Sequence, residues 1–318
     1  MRPLKIALIT PAAPGSRHGN RGTALRWAGM LRELGHRVNV QVEWDGSSAD
    51  VMLALHARRS HASIRNFAVG RPDHPLIVVL TGTDLYRDIR SDIEAQASLQ
   101  LATRMIVLQE MGLLELAPAL RRKTRVVYQS AQTVRRVAAL KSCFEVVVSG
   151  HLREEKDPFR AAAALAHVPA QSRIRVTHIG GAMAPEMAQE ARAWMKREPR
   201  YRWLGEVAHG KALRLLARSR LMVISSRMEG GANVVSEALA NNVPVIASRI
   251  SGNVGMLGRD YAGYYPLEDQ QALARLLSRA EMDRPYYQKL ATQCRARKPR
   301  VAYASERGAL QRVISEIS

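Results

Sequence analysis

A series of short apolar runs, separated by segments with helical spacing, constrains the fold of this chain more than any other feature. Such runs are typical of strands in a parallel sheet that is covered on both faces. Helical spacing at 22–34 and 89–102 places helices between them. The pattern predicts an α/β protein with doubly wound, Rossmann-like sheets. The predicted strands of the first half are 4–10, 38–42, 51–55, 76–80, 105–108 and 125–128.

A second set of apolar runs predicts a second sheet. A polar and basic stretch at 130–142 separates the two sets and marks the domain boundary. We expect an N-terminal domain over 1–138 and a C-terminal domain over 139–299, with a helix at about 300–318 that packs back on the first domain. Such domains would face a central cleft at the carboxyl ends of their strands, where open α/β sheets bind ligands. The predicted strands of the second half are 144–149, 174–179, 201–204, 221–225 and 243–247.

Composition narrows the class of protein. With 318 residues the chain is long enough for two domains, and its 47% hydrophobic and 5% aromatic content favours an aliphatic α/β protein. No apolar run reaches the ~20 residues of a membrane span, and the N-terminal run is too short for a signal peptide, so we expect a cytoplasmic protein. Cys143 and Cys294 have no partners at motif spacing, which indicates neither a disulfide framework nor a zinc site.

The net charge of +20 points to anionic partners. Nucleic acid is the first candidate, but Lys and Arg are spread over both halves and no basic stretch is interleaved with aromatic residues. We therefore expect no nucleic-acid partner and no membrane partner. The charge indicates either a solvated basic surface or the attraction of small anionic substrates. The sequence makes no prediction about the oligomeric state.

The segment 225–240 sets two carboxylates, Glu229 and Glu237, eight residues apart across the Gly230–Gly231 pair. The pair predicts a tight turn, and the residues from Val234 to Asn241 predict a helix whose N-terminal amides are free. Free amides at a helix N-terminus bind anions. An anion site with a carboxylate on each side suits a nucleotide sugar, whose hydroxyls flank its phosphates.

Other loops at predicted strand ends carry further candidates. The Gly-rich loop at 10–24 matches neither the dinucleotide fingerprint nor the P-loop pattern, and a mobile surface loop is an equally good interpretation. Arg153 and Lys156 follow a strand and could stabilise a leaving diphosphate, although an exposed helix N-terminus has the same pattern. His56 and Asp84 also end strands, yet a lone His is more often structural and Asp84 suits a helix cap.

Together these features resemble the GT-B glycosyltransferases, specifically family 4, whose signature is two Glu residues separated by seven others. The resemblance implies that Glu229 holds the donor sugar, Glu237 binds the ribose and Lys156 holds the diphosphate. The family's Arg position is occupied by His151, so either Arg153 replaces it or His151 suits a differently charged site. The base pocket would lie near 203–207. The remaining donor contacts implied are Gly15, Glu206, Val207, Gly230, Gly231, Ala232, Asn233 and Val234.

Phrases at 55–58, 79–86, 149–158 and 229–234 look like the selenosugar synthases of selenoneine biosynthesis. That resemblance implies transfer of a sugar from UDP-N-acetylglucosamine or UDP-glucose to selenophosphate, without a metal ion or cofactor. Selenophosphate is a soft nucleophile that needs little deprotonation, so a strong base is less necessary. Glu229, Lys156 and His56 are the catalytic candidates. The acceptor candidates are Arg17, His18, Asn20, Arg21, Thr23, His56, Arg58, Thr81 and Asp84.

Two alternatives remain beside this hypothesis. One is a family-4 glycosyltransferase with a sugar or lipid acceptor, and an exposed basic amphipathic patch on the first domain would favour a membrane-bound acceptor. The other belongs to a different class: a non-catalytic, basic anion-binding protein on a GT-B scaffold, for which the charge of +20 is the main support.

Overall fold

The computed structural model describes residues 2–15, 19–135 and 137–317, which form two compact units. One unit comprises Met1–Gln129 with Tyr303–Ser318, and the other comprises Ser130–Ala302. Each unit contains a six-stranded sheet in which all paired strands are parallel. Both predicted sheets are therefore present, and the prediction of a doubly wound α/β fold is confirmed.

The division between the units lies nearer the N-terminus than the polar stretch suggested. The Ala131 amide donates to Val301 O, and the Val134 amide donates to the Asn241 side chain. These hydrogen bonds attach the start of the connecting segment to the second unit. The C-terminal residues after Ala302 return to the first unit.

The first unit has the strand order β2-β1-β3-β4-β5-β6. Chain order reverses between β1 and β3, and ligands of doubly wound sheets bind at such a switch point. The strands are β1 (Lys5–Ile9), β2 (Arg37–Gln41), β3 (Val51–Leu55), β4 (Leu76–Leu80), β5 (Arg104–Val107) and β6 (Thr124–Val126). The helices before the second unit are α1 (Gly19–Glu33), α2 (His61–Gly70), α3 (Ile89–Ser91), α4 (Ile93–Leu101) and α5 (Pro118–Arg122), with a π-helical turn at Asp84–Asp88 and a 3₁₀ turn at Glu110–Glu115.

Alternate residues of the first sheet face two separate cores, because successive side chains of a strand point to opposite faces. Leu53 and Leu55 of β3 pack with Trp27 of α1, whereas Met52 and Ala54 of the same strand pack with Phe67 of α2. All are buried. Burial on both faces explains why β3 has an apolar residue at every position.

The predicted helix over 89–102 is interrupted. Asp92 has an extended conformation (φ −100°, ψ 121°), and its carboxylate accepts the Ala95 amide at 2.9 Å. Asp92 is thus the N-terminal cap of α4, a role that aspartate favours. The interruption separates α4 from the turn that contains Asp84.

The second unit has the order β12-β11-β10-β7-β8-β9. Its switch point lies between β7 and β10.

Tyr264–Tyr265 forms a twelfth strand that the sequence analysis missed, because two residues show no periodicity. The strands are β7 (Phe144–Ser149), β8 (Ile174–Ile179), β9 (Tyr201–Trp203), β10 (Leu221–Ile224), β11 (Val245–Ser248) and β12 (Tyr264–Tyr265). The helices are α6 (Arg160–Leu165), α7 (Pro185–Arg197), α8 (His209–Arg218), α9 (Asn233–Ala240), α10 (Ser251–Leu257), α11 (Gln270–Met282) and α12 (Arg284–Arg297), followed by α13 (Tyr303–Ser315) of the first unit, with 3₁₀ turns at Glu154–Lys156 and Lys298–Val301.

A buried carboxylate attaches α13 to α1. Glu306 is 1% exposed and accepts hydrogen bonds from Arg26 Nε and Nη2, with Nε–Oε2 at 2.9 Å, and one from Trp27 Nε1 at 2.6 Å. A buried carboxylate without such donors would cost several kcal/mol, so these contacts fix where α13 packs. Among the described residues, no helix is long and apolar enough to cross a membrane.

Replacing Glu306 with Ala should lower the free energy of unfolding of the first unit by about 3 kcal/mol, since Arg26 and Trp27 lose their shared partner. Urea denaturation measures this change. The control is Arg307→Ala, which breaks an exposed 3.7 Å pair with Glu33 and should change stability by less than about 1 kcal/mol. Equal losses in the two variants would show that the buried contacts do not stabilise α13.

Candidate functional site

Lys156 and Glu229 meet at the switch point of the second unit. β7 and β10 are neighbours, so the loops that follow them begin side by side. Lys156 Nζ lies 2.5 Å from Glu229 Oε1, and Ser226 Oγ donates to the same oxygen at 2.5 Å. Glu229 is 6% exposed. The site thus contains a nearly buried carboxylate held by one cation and one hydroxyl.

The backbone beside Lys156 is fixed to the end of β10. Ser225 Oγ is within hydrogen-bond distance of Lys156 O at 3.1 Å and Asp157 O at 2.8 Å. Asp157 has a left-handed conformation (φ 45°) and pairs with Arg160 at 2.7 Å. Non-glycine residues in this region cost of order 1 kcal/mol, so the bend after Lys156 depends on these contacts.

The loop after β11 supports Glu229 from the other side. Ser248 Oγ donates to Ser226 O at 2.7 Å, and the fully buried Asn253 donates to Ser248 O at 3.0 Å. A Cβ at Gly252 would lie 2.0 Å from Glu229 O and 2.9 Å from its Cβ. Only glycine allows the Glu229 backbone to approach α10 this closely.

Helix α9 starts one residue earlier than the sequence predicted, and its turn differs. The left-handed residue is Ala232 (φ 40°), not Gly230 or Gly231. Val235 N donates to Ala232 O at 2.7 Å, which closes the first turn. A strained alanine at this position indicates that the surrounding contacts determine the turn.

Glu237 lies one turn into α9, where it contacts α8. His209 Nε2 lies 2.9 Å from Glu237 Oε1. This hydrogen bond raises the pKa of His209, because the carboxylate favours the charged imidazole. Sequence reasoning missed His209, which starts a helix of its own and carries no motif.

The ends of β7, β8 and β9 are packed backbone to backbone. A Cβ at Gly180 (φ 147°) would lie 2.0 Å from Gly150 O. His178 contacts the same carbonyl at 3.2 Å through Nε2 and Tyr201 OH at 2.9 Å through Nδ1. Because a carbonyl only accepts, Nε2 carries the proton and Nδ1 accepts from Tyr201. Burial lowers the pKa of His178 to about 4, so this imidazole is neutral.

The remaining donor candidates are spread over several loops, and Glu206 lies at this edge beside His151. Glu206 Oε2 and His151 Nδ1 are both 3.6 Å from where a Cβ at Gly181 would be, so the two side chains border the same glycine. Arg153 is exposed and precedes the 3₁₀ turn that contains Lys156. Val207 is half-buried, as are Asn233 and Val234 at the start of α9. Gly15 lies in the first unit, in an exposed left-handed turn (φ 79°).

In the first unit, His56 and Asp84 are both buried. His56 directly follows β3, and Asp84 lies in the loop after β4. Asp84 is 0% exposed and accepts three backbone amides, from Ala57 at 3.0 Å, Thr81 at 2.9 Å and Gly82 at 2.8 Å. It therefore joins two loops, and it is neither a helix cap nor accessible to a substrate.

Several acceptor candidates have partners within the fold. Thr23 is 1% exposed, donates to Gly19 O and accepts from Gln129, so its hydroxyl is already occupied. Arg58 pairs with Asp88 at 3.0 Å, which offsets its charge. Asn20, Arg21 and Thr81 are half-buried. Arg17 and His18 lie outside the described residues.

Ser226 and Gly252 were also missed by sequence reasoning. Ser226 had a usable signal, since it is the second residue after β10 and precedes Glu229 by three residues. Gly252 had none, because its role depends on a contact between two loops. Within the part of the chain that the structure describes, no three His, Cys, Asp or Glu side chains are grouped as metal ligands.

Comparison with known proteins agrees with this architecture. The family model of the glycosyl transferases group 1 matches residues 133–297, just over half of the chain. HepE of Anabaena, solved with UDP and glucose, superposes with a TM-score of 0.76 at 16% identity, over 98% of this chain and 100% of that chain. Sucrose-phosphate synthase from Thermosynechococcus elongatus has a TM-score of 0.75 at 16% identity over 100% of both chains.

A third structure, the lipopolysaccharide outer core galactosyltransferase WaaB in its apo form, has a TM-score of 0.71 at 12% identity, over 98% of this chain and 99% of that chain. No curated protein sequence matches the chain. At these identities the similarity establishes the fold, which is of the GT-B class.

Gly252→Ala should lower the free energy of unfolding by about 1–3 kcal/mol, because the added methyl group collides with Glu229 O. The matched control is Gly210→Ala in α8, where the nearest atom is the mobile end of Arg214 at 3.7 Å. That change should raise stability by up to about 1 kcal/mol, as alanine favours a helix. Urea denaturation distinguishes the opposite signs, and a tolerated Gly252→Ala would contradict the proposed steric role.

Acid should destabilise the second unit through His178. Its pKa is about 4 in the folded state and 6.5 when unperturbed, so the unfolded chain binds the proton more readily between these values. The stabilisation is complete above pH 6.5 and is lost as the pH falls towards 4, a change of about 3 kcal/mol. Urea denaturation at pH 7 and pH 4 should show a smaller difference for His178→Gln than for the wild type. The same difference in both proteins would exclude His178 as the source.

Proposed function

Since the chain belongs to the glycosyl transferases group 1, we propose that it transfers a sugar from a UDP-sugar, UDP-N-acetylglucosamine or UDP-glucose, to selenophosphate. A carbon–selenium bond forms at C1 of the sugar while the bond from C1 to the UDP oxygen breaks. The observation that carries the proposal is the contact of Glu229 with Lys156 and Ser226 at the switch point of the second unit.

Glu229 and Glu237 suit the two hydroxyl-bearing ends of the donor. Glu229 is fixed by Ser226 from one side and by the close approach of Gly252 from the other. A carboxylate accepts hydrogen bonds from hexose hydroxyls, and in this proposal Glu237, on α9, does the same for a ribose. HepE, which shares the fold, has been solved with UDP-glucose, and this supports a UDP-sugar as the donor here.

Lys156 suits the leaving group. When UDP departs, negative charge develops on its β-phosphate, and an ammonium group near that oxygen stabilises the transition state. Lys156 is one-fifth exposed, so its ammonium can reach a ligand without leaving the loop that Ser225 holds. The N-terminal amides of α9 add partial positive charge in the same unit.

Support for an anionic acceptor comes from charge and chemistry. The chain carries 48 Lys and Arg against 28 Asp and Glu, so its field attracts a small polyanion. Arg21 is half-buried and has no ion-pair partner among the described residues. Selenophosphate also supplies its own nucleophile, and the site needs no strong base to activate it.

The proposal is tested by incubating the protein with UDP-N-acetylglucosamine and selenophosphate and measuring UDP together with selenium-containing sugar. We expect both products from the wild type and a loss of about 100-fold or more in kcat/KM for Glu229→Gln. A suitable control is Glu281→Gln, which removes a carboxylate that also accepts a serine hydroxyl at 2.5 Å, from Ser172. That variant should remain active.

Two results would replace the proposal. UDP released only with a sugar or lipid acceptor would assign the chain a different acceptor. No UDP release with any acceptor, together with anion binding that is unaffected by Glu229→Gln, would indicate a non-catalytic binding protein.

A further inference from the structure

His56 is held in an unusual conformation between two loops of the first unit. It follows β3 with a left-handed backbone (φ 73°) and is 3% exposed. Its Nδ1 accepts the Arg59 amide at 3.3 Å, and its Nε2 lies 3.1 Å from Thr83 Oγ1. A histidine in this backbone region is strained, so the contacts on both ring nitrogens must keep it there.

These contacts determine the tautomer of His56. An amide N–H only donates, so Nδ1 has no proton and the neutral ring carries its proton on Nε2. Burial lowers the pKa of His56 and so favours the neutral ring. The nearby Asp84 carboxylate acts in the opposite direction, but burial has the larger effect. Asp84 Oδ2 is 4.0 Å from Nδ1, beyond hydrogen-bond distance, and instead accepts the Ala57 amide.

His56 therefore has no lone pair to offer a substrate. Nδ1 is occupied by the Arg59 amide, and Nε2 donates to Thr83. In this tautomer Nε2 carries a proton, so it cannot also accept one as a general base. It fits a group that orients its neighbour.

Thr83 is that neighbour. Its Oγ1 accepts from His56, so its own hydroxyl hydrogen points elsewhere, and no described residue accepts it. Thr83 is half-buried, which leaves the hydroxyl reachable. Asp84 fixes the position of both partners, since its carboxylate binds amides of the loop after β3 and of the loop after β4.

We propose that the Thr83 hydroxyl donates a hydrogen bond to an anionic oxygen of the acceptor, and that His56 is a positioning residue that directs this hydroxyl. The inference rests on the proposed function, in which the first unit binds a phosphate-like acceptor. A donor with a fixed direction suits a ligand oxygen that carries no hydrogen, as in phosphate, better than a sugar hydroxyl. Thr83 also lies in the loop after β4, and β4 pairs with β3, one of the two strands that flank the switch point.

Binding of thiophosphate, a stable anion of the same shape, tests Thr83 without requiring turnover. Titration followed by ³¹P NMR should give a Kd about tenfold or more weaker for Thr83→Val than for the wild type, because a hydrogen bond to a charged oxygen is lost. Thr83→Ser keeps the hydroxyl and should stay within about threefold. Equal binding by the wild type and Thr83→Val, or no binding by the wild type, would overturn the proposal.

The matched control is Thr103→Val. Thr103 precedes β5 at the opposite edge of the same sheet, where its Oγ1 accepts the Leu76 amide at 3.1 Å. This variant loses a hydroxyl of the same kind at the amino end of a strand, on the opposite side of the sheet from Thr83, and it should bind thiophosphate like the wild type. A weakened Kd here too would show that the loss in Thr83→Val is structural.

His56 is tested by two substitutions and a spectroscopic signature. His56→Gln can still donate an amide N–H to Thr83, whereas His56→Leu cannot, so the positioning role predicts that Gln retains most of the thiophosphate affinity and Leu does not. The Nε2–H resonance of His56 should be visible by NMR in the wild type and should shift in Thr83→Val. Equal loss in both His56 variants, or a His56 ring protonated on Nδ1, would contradict the assignment.

The turnover assay separates this inference from the proposed function. If thiophosphate binds through Thr83 but no UDP is released with selenophosphate, the acceptor assignment fails while the anion site stands. If UDP is released and Thr83→Val leaves KM for selenophosphate unchanged, the reaction stands and the role of Thr83 fails.

Discussion

The parallel pairing of β7 with β10 is the constraint on which the candidate site depends. These strands are neighbours in the sheet but lie about 75 residues apart in the chain, and their partnership places the loops after both at one edge. Lys156 and Glu229 contact each other only because of that topology. The Ser225 hydroxyl then fixes the loop after β10 to the loop after β7, and the Ser226 hydroxyl holds the Glu229 carboxylate within its own loop. The geometry is therefore set largely by the scaffold.

Several buried polar side chains in both units bind backbone groups or neighbouring side chains. Asp84 gathers three amides, His178 joins a carbonyl to a tyrosine, and Glu306 joins two residues of α1. Each would be costly to bury alone, and each costs little once its partners are present. Such residues define where loops lie, so they act on a site without touching a ligand.

The sequence predicted the sheets well because burial on both faces makes central strands such as β3 and β4 apolar, and that pattern is local. It also placed Lys156, Glu229 and Glu237 at strand ends or on the helix that follows. It failed where a residue's role depends on a contact between distant segments. Thr23 and Asp84 are acceptor candidates by residue type and position, yet both are buried with their hydrogen bonds used inside the fold. The left-handed position of Ala232 had no signal, since Gly230 and Gly231 are the better candidates by type.

The contact between Lys156 and Glu229 has consequences for ligand choice. The charges of Lys156 and Glu229 offset one another in a site where Glu229 is nearly buried, and separating them leaves a carboxylate with one hydroxyl partner. A neutral ligand gives Lys156 no negative partner in place of Glu229. The cost of leaving these charges unpaired in a nearly buried site would oppose binding of such a ligand. A diphosphate offers Lys156 a replacement partner, and hydroxyls on the same ligand can replace the hydrogen bond that Glu229 gives up. A molecule that carries both groups at the correct separation therefore fits this pair better than a phosphate or a sugar alone.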